Sequence, residues 1–239
     1  TVTGRVDGVV AGDRGWEVHR RDGGVVVADA VVLAAGGPGH ASTLVHDASP
    51  QLQRWAAQAM PVHAACLDVA LHPAKRPHRP ATYGLGTPTY LVDHGASARV
   101  SPKGGALFHG LAYEPDRFGD LDARGTLEAM LDAAAPGWRD QATQVTYRHR
   151  MVVAHDRPQA SPDHHTPTVV VPDLPGVHVA GDWLTGHGLL ADAALSSARE
   201  AGVAAAAWAT ARRSATPTAS TTSAASATPA TPATSPAGA

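Results

Sequence analysis

Pro175-Gly176-Val177-His178-Val179-Ala180-Gly181-Asp182-Trp183, followed by Gly186-His187-Gly188-Leu189-Leu190-Ala191-Asp192, is the stretch on which the reading of this chain turns. Its first half is a short apolar run, Val177 to Ala180, that ends in a glycine and an acid. That pattern predicts a buried strand that delivers Gly181 and Asp182 at its carboxyl end, where open α/β sheets bind ligands. A glycine there lets the backbone approach a ligand closely. The second half is a Gly-rich turn that feeds an Ala-rich segment, Asp192 to Arg212, predicted as a long helix. The free N–H groups and positive dipole end of such a helix suit an electron-rich group.

Working outward, a second apolar run lies far upstream. Asp29 to Ala35 is continuous enough to predict another buried parallel strand, and it ends in Gly36-Gly37-Pro38-Gly39. Before it, alternating apolar positions in Thr1–Val10, Trp16–Val18 and Val25–Val27 are separated by turn signals at Asp13-Arg14-Gly15 and Asp22-Gly23-Gly24. They predict a small antiparallel meander. Two readings of Gly36–Ser42 compete. Gly37-x-Gly39-x-x-Ser42 nearly completes a dinucleotide fingerprint and would make an NAD-binding module. Against it, Pro38 removes a backbone N–H from the would-be phosphate loop, and no strand with a terminal acid follows about 20 residues on. That region, Gln51 to Met60, reads as a short helix.

In these two runs the chain resembles the FAD-dependent amine oxidase and phytoene desaturase superfamily. The match by motif covers Thr1–Gly39 and Pro167–Arg213; the middle matches only in order and size. The resemblance implies an α/β fold: an incomplete FAD/NAD(P)-binding, Rossmann-like domain with an inserted, mainly β substrate domain. It divides the chain into residues 1–60 and 156–213 for the FAD-binding parts and 61–155 for the substrate domain. It also implies FAD as cofactor, held by Ala35, Gly36 and Gly37 near the adenosine half and by Gly181, Asp182, Gly188, Leu189 and Leu190 near the flavin. Asp182 matches the acid that hydrogen-bonds the ribityl or pyrophosphate region. The implied activity is hydride transfer from a small organic molecule to the flavin. Two departures bear on this. No strand, G-x-G-x-x-G and helix precede Ala30, so the pyrophosphate-binding unit is expected upstream of Thr1. The start of the final helix, with Ser196-Ser197 where many relatives carry glycine, follows neither branch of the superfamily closely, which leaves the substrate class open. A non-catalytic truncated module, or one half of a split flavoenzyme, is the alternative.

The middle offers weaker signals. Strand-like segments run from about Val62 to Gly110, a helix is predicted over Leu121–Ala135 and a strand over Thr143–Val153. Val169-Val170-Val171 reads as a further short strand. Trp183 and His187, beside the flavin motif, and Tyr83 and His109, within the middle, are the candidate substrate-facing residues; no acid or base is assigned. His155-Asp156 and Asp163-His164-His165 lack the third and fourth ligands that a metal site needs, so none is assigned.

Composition narrows the classes. A net charge of −2 with no basic run argues against nucleic acid as a partner. No stretch reaches the ~18 apolar residues of a membrane span, and a lone cysteine, Cys66, fits a reducing cytoplasm. Residues 214–239 contain only Ser, Ala, Thr, Pro and Gly, which predicts a disordered tail. Oligomeric state leaves no signature.

Overall fold

The alternating valines at the start of the chain form the expected meander. In the computed structural model, which describes residues 1–74, 79–114, 116, 122–159, 167–184 and 188–215, strands β1 (Val6–Gly12), β2 (Gly15–Arg20) and β3 (Val25–Ala28) pair antiparallel in that order. Gly15 turns the first hairpin at a φ of +144°, and a Cβ there would lie 2.5 Å from the Ala28 carbonyl oxygen, so the corner admits only glycine.

Strand β4 (Val31–Leu33) then pairs in parallel with β10 (Val177–Val179), Val31 opposite Val177 and Leu33 opposite Val179. The two apolar runs singled out in the sequence are therefore adjacent strands, although they lie more than 140 residues apart. β4 is shorter than the run that predicted it, and Val32 is 37% exposed. The reason is visible in the topology: among the described residues β4 pairs only with β10.

A helix follows where the sequence suggested only a turn. α1 (Pro38–Leu44) is capped by Gly37, with proline at its first position, where the fixed φ is pre-organised and no N–H is needed. α2 (Pro50–Gln58) repeats this device: Ser49 accepts from the Leu52 N–H, and Pro50 opens the helix. Its Leu52 and Trp55 join Val9, Trp16, Leu33, Val177, Val179 and Trp183 in one core, built from the beginning and end of the chain.

The residues between form a five-stranded antiparallel sheet. β5 (Val62–Leu71), β6 (Ala81–Tyr83), β7 (Thr89–Asp93), β8 (Ala106–Tyr113) and β9 (Ala142–Ala154) stand in the order β6-β7-β8-β5-β9. α3 (Ala123–Ala134), capped by Asp122 on the Gly125 N–H, covers one face. Its Leu127 and Leu131 share a second core with Leu67, Val69 and Phe108. The opposite face carries Cys66, Leu111, Tyr90, Tyr113 and Val153. The chain closes with α4 (Ala191–Ala215), whose Arg213 pairs with Asp29 at 2.9 Å.

The architecture is mixed α/β. Two expectations need correction. Val169–Val171 forms no strand; Val170 makes a single antiparallel bridge to His178, because Pro167 and Pro172, which lack N–H donors, bracket a segment too short for a ladder. Ser214 belongs to α4 rather than to a tail, because the alanine-rich run continues the helix through it. The rest of the predicted tail, 216–239, lies outside the described residues.

Candidate functional site

The parallel pairing of β4 and β10 carries both glycine-ended motifs to the same edge. The Ala180 N–H donates to the Leu33 carbonyl at 3.1 Å. One step further, the Trp183 indole N–H donates to the Gly36 carbonyl at 2.9 Å. A Cβ on Gly181 would lie 2.6 Å from that indole nitrogen and 3.2 Å from the Gly36 oxygen, so glycine is required for the two ends to meet. Ser197 of α4, which is buried, completes the joint: its hydroxyl oxygen accepts from the Gly181 N–H at 3.1 Å. The serine at this point thus has a structural use: it ties the last helix to the strand end.

Asp182 is held by a residue that sequence reasoning did not assign to the site. Its carboxylate accepts from the His155 backbone N–H at 3.0 Å and pairs with His155 Nδ1 at 2.8 Å. The same imidazole lies against the other motif: a Cβ on Gly36 would sit 3.1 Å from His155 Nε2, and one on Gly37 2.9 Å from Cδ2. His155 follows the last residue of β9, so the five-stranded sheet delivers it into the gap between the two motif ends. No local pattern marks such a residue, because its partners lie 27 and more than 110 positions away in sequence.

Two hollows flank this junction and share Val152 in their walls. One, of about 460 Å³, is bounded by Ala35, Gly37, Pro38, Gly39 and His155. The other, of about 730 Å³, lies between the α3-free face of the five-stranded sheet and the start of α4. Asp182, Trp183, Gly188, Leu189 and Leu190 contribute to its wall, as do His109, Tyr90 and Tyr113. Gly188 has a φ of +94°, and a Cβ there would lie 2.5 Å from that of Asp192. Leu190 holds a φ of +54°, a conformation that costs a branched residue energy and recurs at ligand sites. Both leucines are exposed ahead of the first turn of α4.

The predicted substrate-facing residues separate. His109 borders the larger cavity with Nδ1 on the Asp68 carboxylate, whose second oxygen lies 3.7 Å from Arg148. Trp183 borders it too, yet its indole is buried against Trp55 and committed to Gly36. Tyr83 is 72% exposed and absent from the cavity wall; it stacks on Tyr90, which stacks on Tyr113. His187 lies outside the described residues, as do Asp163, His164 and His165. Among the described residues, no three His, Cys, Asp or Glu side chains gather where a metal could be held.

Each Asp182 oxygen accepts from one His155 group, and a carboxylate oxygen has further lone-pair capacity for a ligand hydroxyl.

No family model matches the sequence, and no curated protein matches it. Solved structures do match in fold. An oxidoreductase from Methanosarcina mazei superposes with a TM-score of 0.58 at 14% identity, over 83% of this chain and 48% of that one. Cyclohexylamine oxidase from Brevibacterium oxydans IH-35A gives 0.53 at 16%, over 87% and 48%. Putrescine oxidase bound to putrescine gives 0.53 at 14%, over 84% and 48%. The chain therefore shares the fold of amine oxidase-like oxidoreductases, as the motif resemblance implied, and spans about half the length of each of these structures. Among the described residues no helix is long and apolar enough to cross a membrane.

Proposed function

We propose that this chain is part of an FAD-dependent oxidoreductase that oxidises a small organic molecule. The observation that carries the reading is the convergence of Gly36, Gly181 and Asp182 on one sheet edge beside the start of α4, with a cavity of substrate size against it. On this reading residues 1–60 and 156–213 form the FAD-binding part and 61–155 the inserted substrate domain. Ala35–Gly37 would line the path of the adenosine half. Asp182, positioned by His155, would accept from the ribityl chain, and the backbone at Gly188–Leu190 would face the flavin ring. FAD, when bound, supplies the two-electron acceptor; the chain's own residues orient it and exclude water.

The edge of β4 that is left unpaired among the described residues supports a further element: a Gly-rich βαβ unit outside these 239 residues that pairs with β4 and holds the pyrophosphate at its helix N-terminus. Titration with FAD, followed by flavin fluorescence, tests this. Residues 1–239 alone should bind FAD poorly, and a protein extended upstream to include such a unit should bind it tightly. Micromolar binding by residues 1–239 alone would overturn the need for a further unit. Failure of the extended protein to bind would favour a non-catalytic module.

A further inference from the structure

The larger cavity has an apolar body and few polar groups, and the bonding of those groups decides what it can hold. Both of its carboxylates accept from the protein's own donors, Asp156 through one oxygen. Asp156 Oδ1 accepts from the backbone N–H groups of Met60 at 2.9 Å and Arg157 at 2.8 Å, with Gln159 Nε2 at 3.4 Å. Asp182 accepts twice from His155. His109 is engaged through Nδ1 with Asp68.

Arg157 differs. It borders the same cavity, half-buried, and the only partner of its guanidinium among the described residues is the Met60 sulfur at 3.9 Å. A guanidinium has five N–H donors in a planar fork that matches a carboxylate. Its backbone is fixed on both sides: His155 is tied to Asp182, Asp156 to Met60, and Gln159 to the Gln58 carbonyl at 3.0 Å. The cavity thus holds a positioned cation whose donors are largely unspent among the described residues. Tyr90, Leu111 and Tyr113 provide an apolar wall, with the two phenol rings 6.1 Å apart at 28°. Burial pushes both phenols above the ordinary tyrosine value, so they are uncharged at neutral pH.

We propose that this cavity binds a small aromatic carboxylate, with its acid group on Arg157 and its ring against Tyr90, Leu111 and Tyr113. The volume of about 730 Å³ suits a small molecule, which typically occupies a pocket of roughly 300–1,000 Å³. The proposal names a substrate class for the flavoenzyme reading and rests on that reading only for the word substrate. It sets this chain apart from the fold neighbours named for putrescine and cyclohexylamine. An ammonium group beside Arg157 would meet a like charge.

Calorimetric titration of the 239-residue chain with 4-phenylbutanoate and with 4-phenylbutylamine tests it, because the two probes share one apolar body. The carboxylate should bind at least tenfold more tightly than the amine. Arg157→Gln should erase that preference, and Arg157→Lys should keep part of it. Thermal melts of both variants should match the parent, since Arg157 has no ion pair to lose among the described residues. If Arg157→Gln nevertheless unfolds, Arg157→Lys carries the comparison, with a preference retained but reduced. Equal or tighter binding of the amine, an undiminished carboxylate affinity in Arg157→Gln, or no binding of either probe at millimolar concentration would each overturn the proposal. No flavin is present in this titration, so its failure is distinguishable from failure of FAD binding.

Discussion

Deleting the Asp182 carboxylate should loosen the junction between the two glycine motifs, by an amount that a double-mutant cycle with His155 can divide. Asp182 accepts one bond from the His155 backbone and one from its ring, at 3.0 and 2.8 Å. Its side chain is 17% exposed and that of His155 35% exposed, so neither bond is fully shielded from water. A net value of about 1 kcal/mol for each is appropriate, that of an ordinary hydrogen bond and below the range for bonds to charged groups, because water screens both. Asp182→Ala, which removes both, should cost about 2 kcal/mol. His155→Ala removes only the ring bond and the ring's packing on Gly36 and Gly37, and should cost about 1–2 kcal/mol. The cycle should return a coupling energy of about 1 kcal/mol, the part that belongs to the ring–carboxylate pair. Urea unfolding followed by far-ultraviolet circular dichroism gives the four stabilities. Strict additivity of the two substitutions would refute the claim that His155 positions Asp182. In a protein extended upstream, Asp182→Ala should also weaken FAD binding by about 1–3 kcal/mol, for a lost buried hydrogen bond; an unchanged affinity would move the flavin away from this motif.

Trp183→Phe should lower the urea midpoint, because it removes the donor to the half-buried Gly36 carbonyl, at a cost of about 1 kcal/mol; an unchanged midpoint would mean that the strand pairing alone holds the two ends. His178→Leu should stabilise the fold, because both buried ring nitrogens lack a partner among the described residues. Burial pushes the His178 pKa down, so the unfolded chain takes the proton more readily. The stability of the parent is thus undiminished by this group above its ordinary value, near pH 6.5, and falls as pH drops below it. The advantage of His178→Leu in melting temperature should therefore widen from pH 7 to pH 5; a constant advantage would sink the argument. Removal of residues 216–239, which contain no large apolar side chain, should leave the melting temperature unchanged. A drop of several degrees would mean that the segment packs on the rest.

Local chemistry marked the strands, helices and glycine-ended runs. Alternation of valines dictated the meander, continuous apolar runs ending in glycine dictated β4 and β10, and alanine content dictated α4. These features are written in neighbouring residues, which is why the resemblance, and with it Gly36, Gly181 and Asp182, could be read from order alone. α1 was missed because Gly37-Pro38-Gly39 has the composition of a turn, and only packing of Leu44 into the core selects the helix. The roles of His155, Asp68 and Arg157 came only from tertiary structure. Each lies in a stretch whose local pattern describes a strand or a loop, and its significance depends on what the sheet brings close: Asp182 and Gly36 for His155, His109 for Asp68, and the larger cavity for Arg157. A sequence specifies such neighbours only through the folded backbone. Long-range electrostatics and hydrogen bonding at the site were therefore decided by the pairing of β4 with β10 and by the placement of the end of β9 between them.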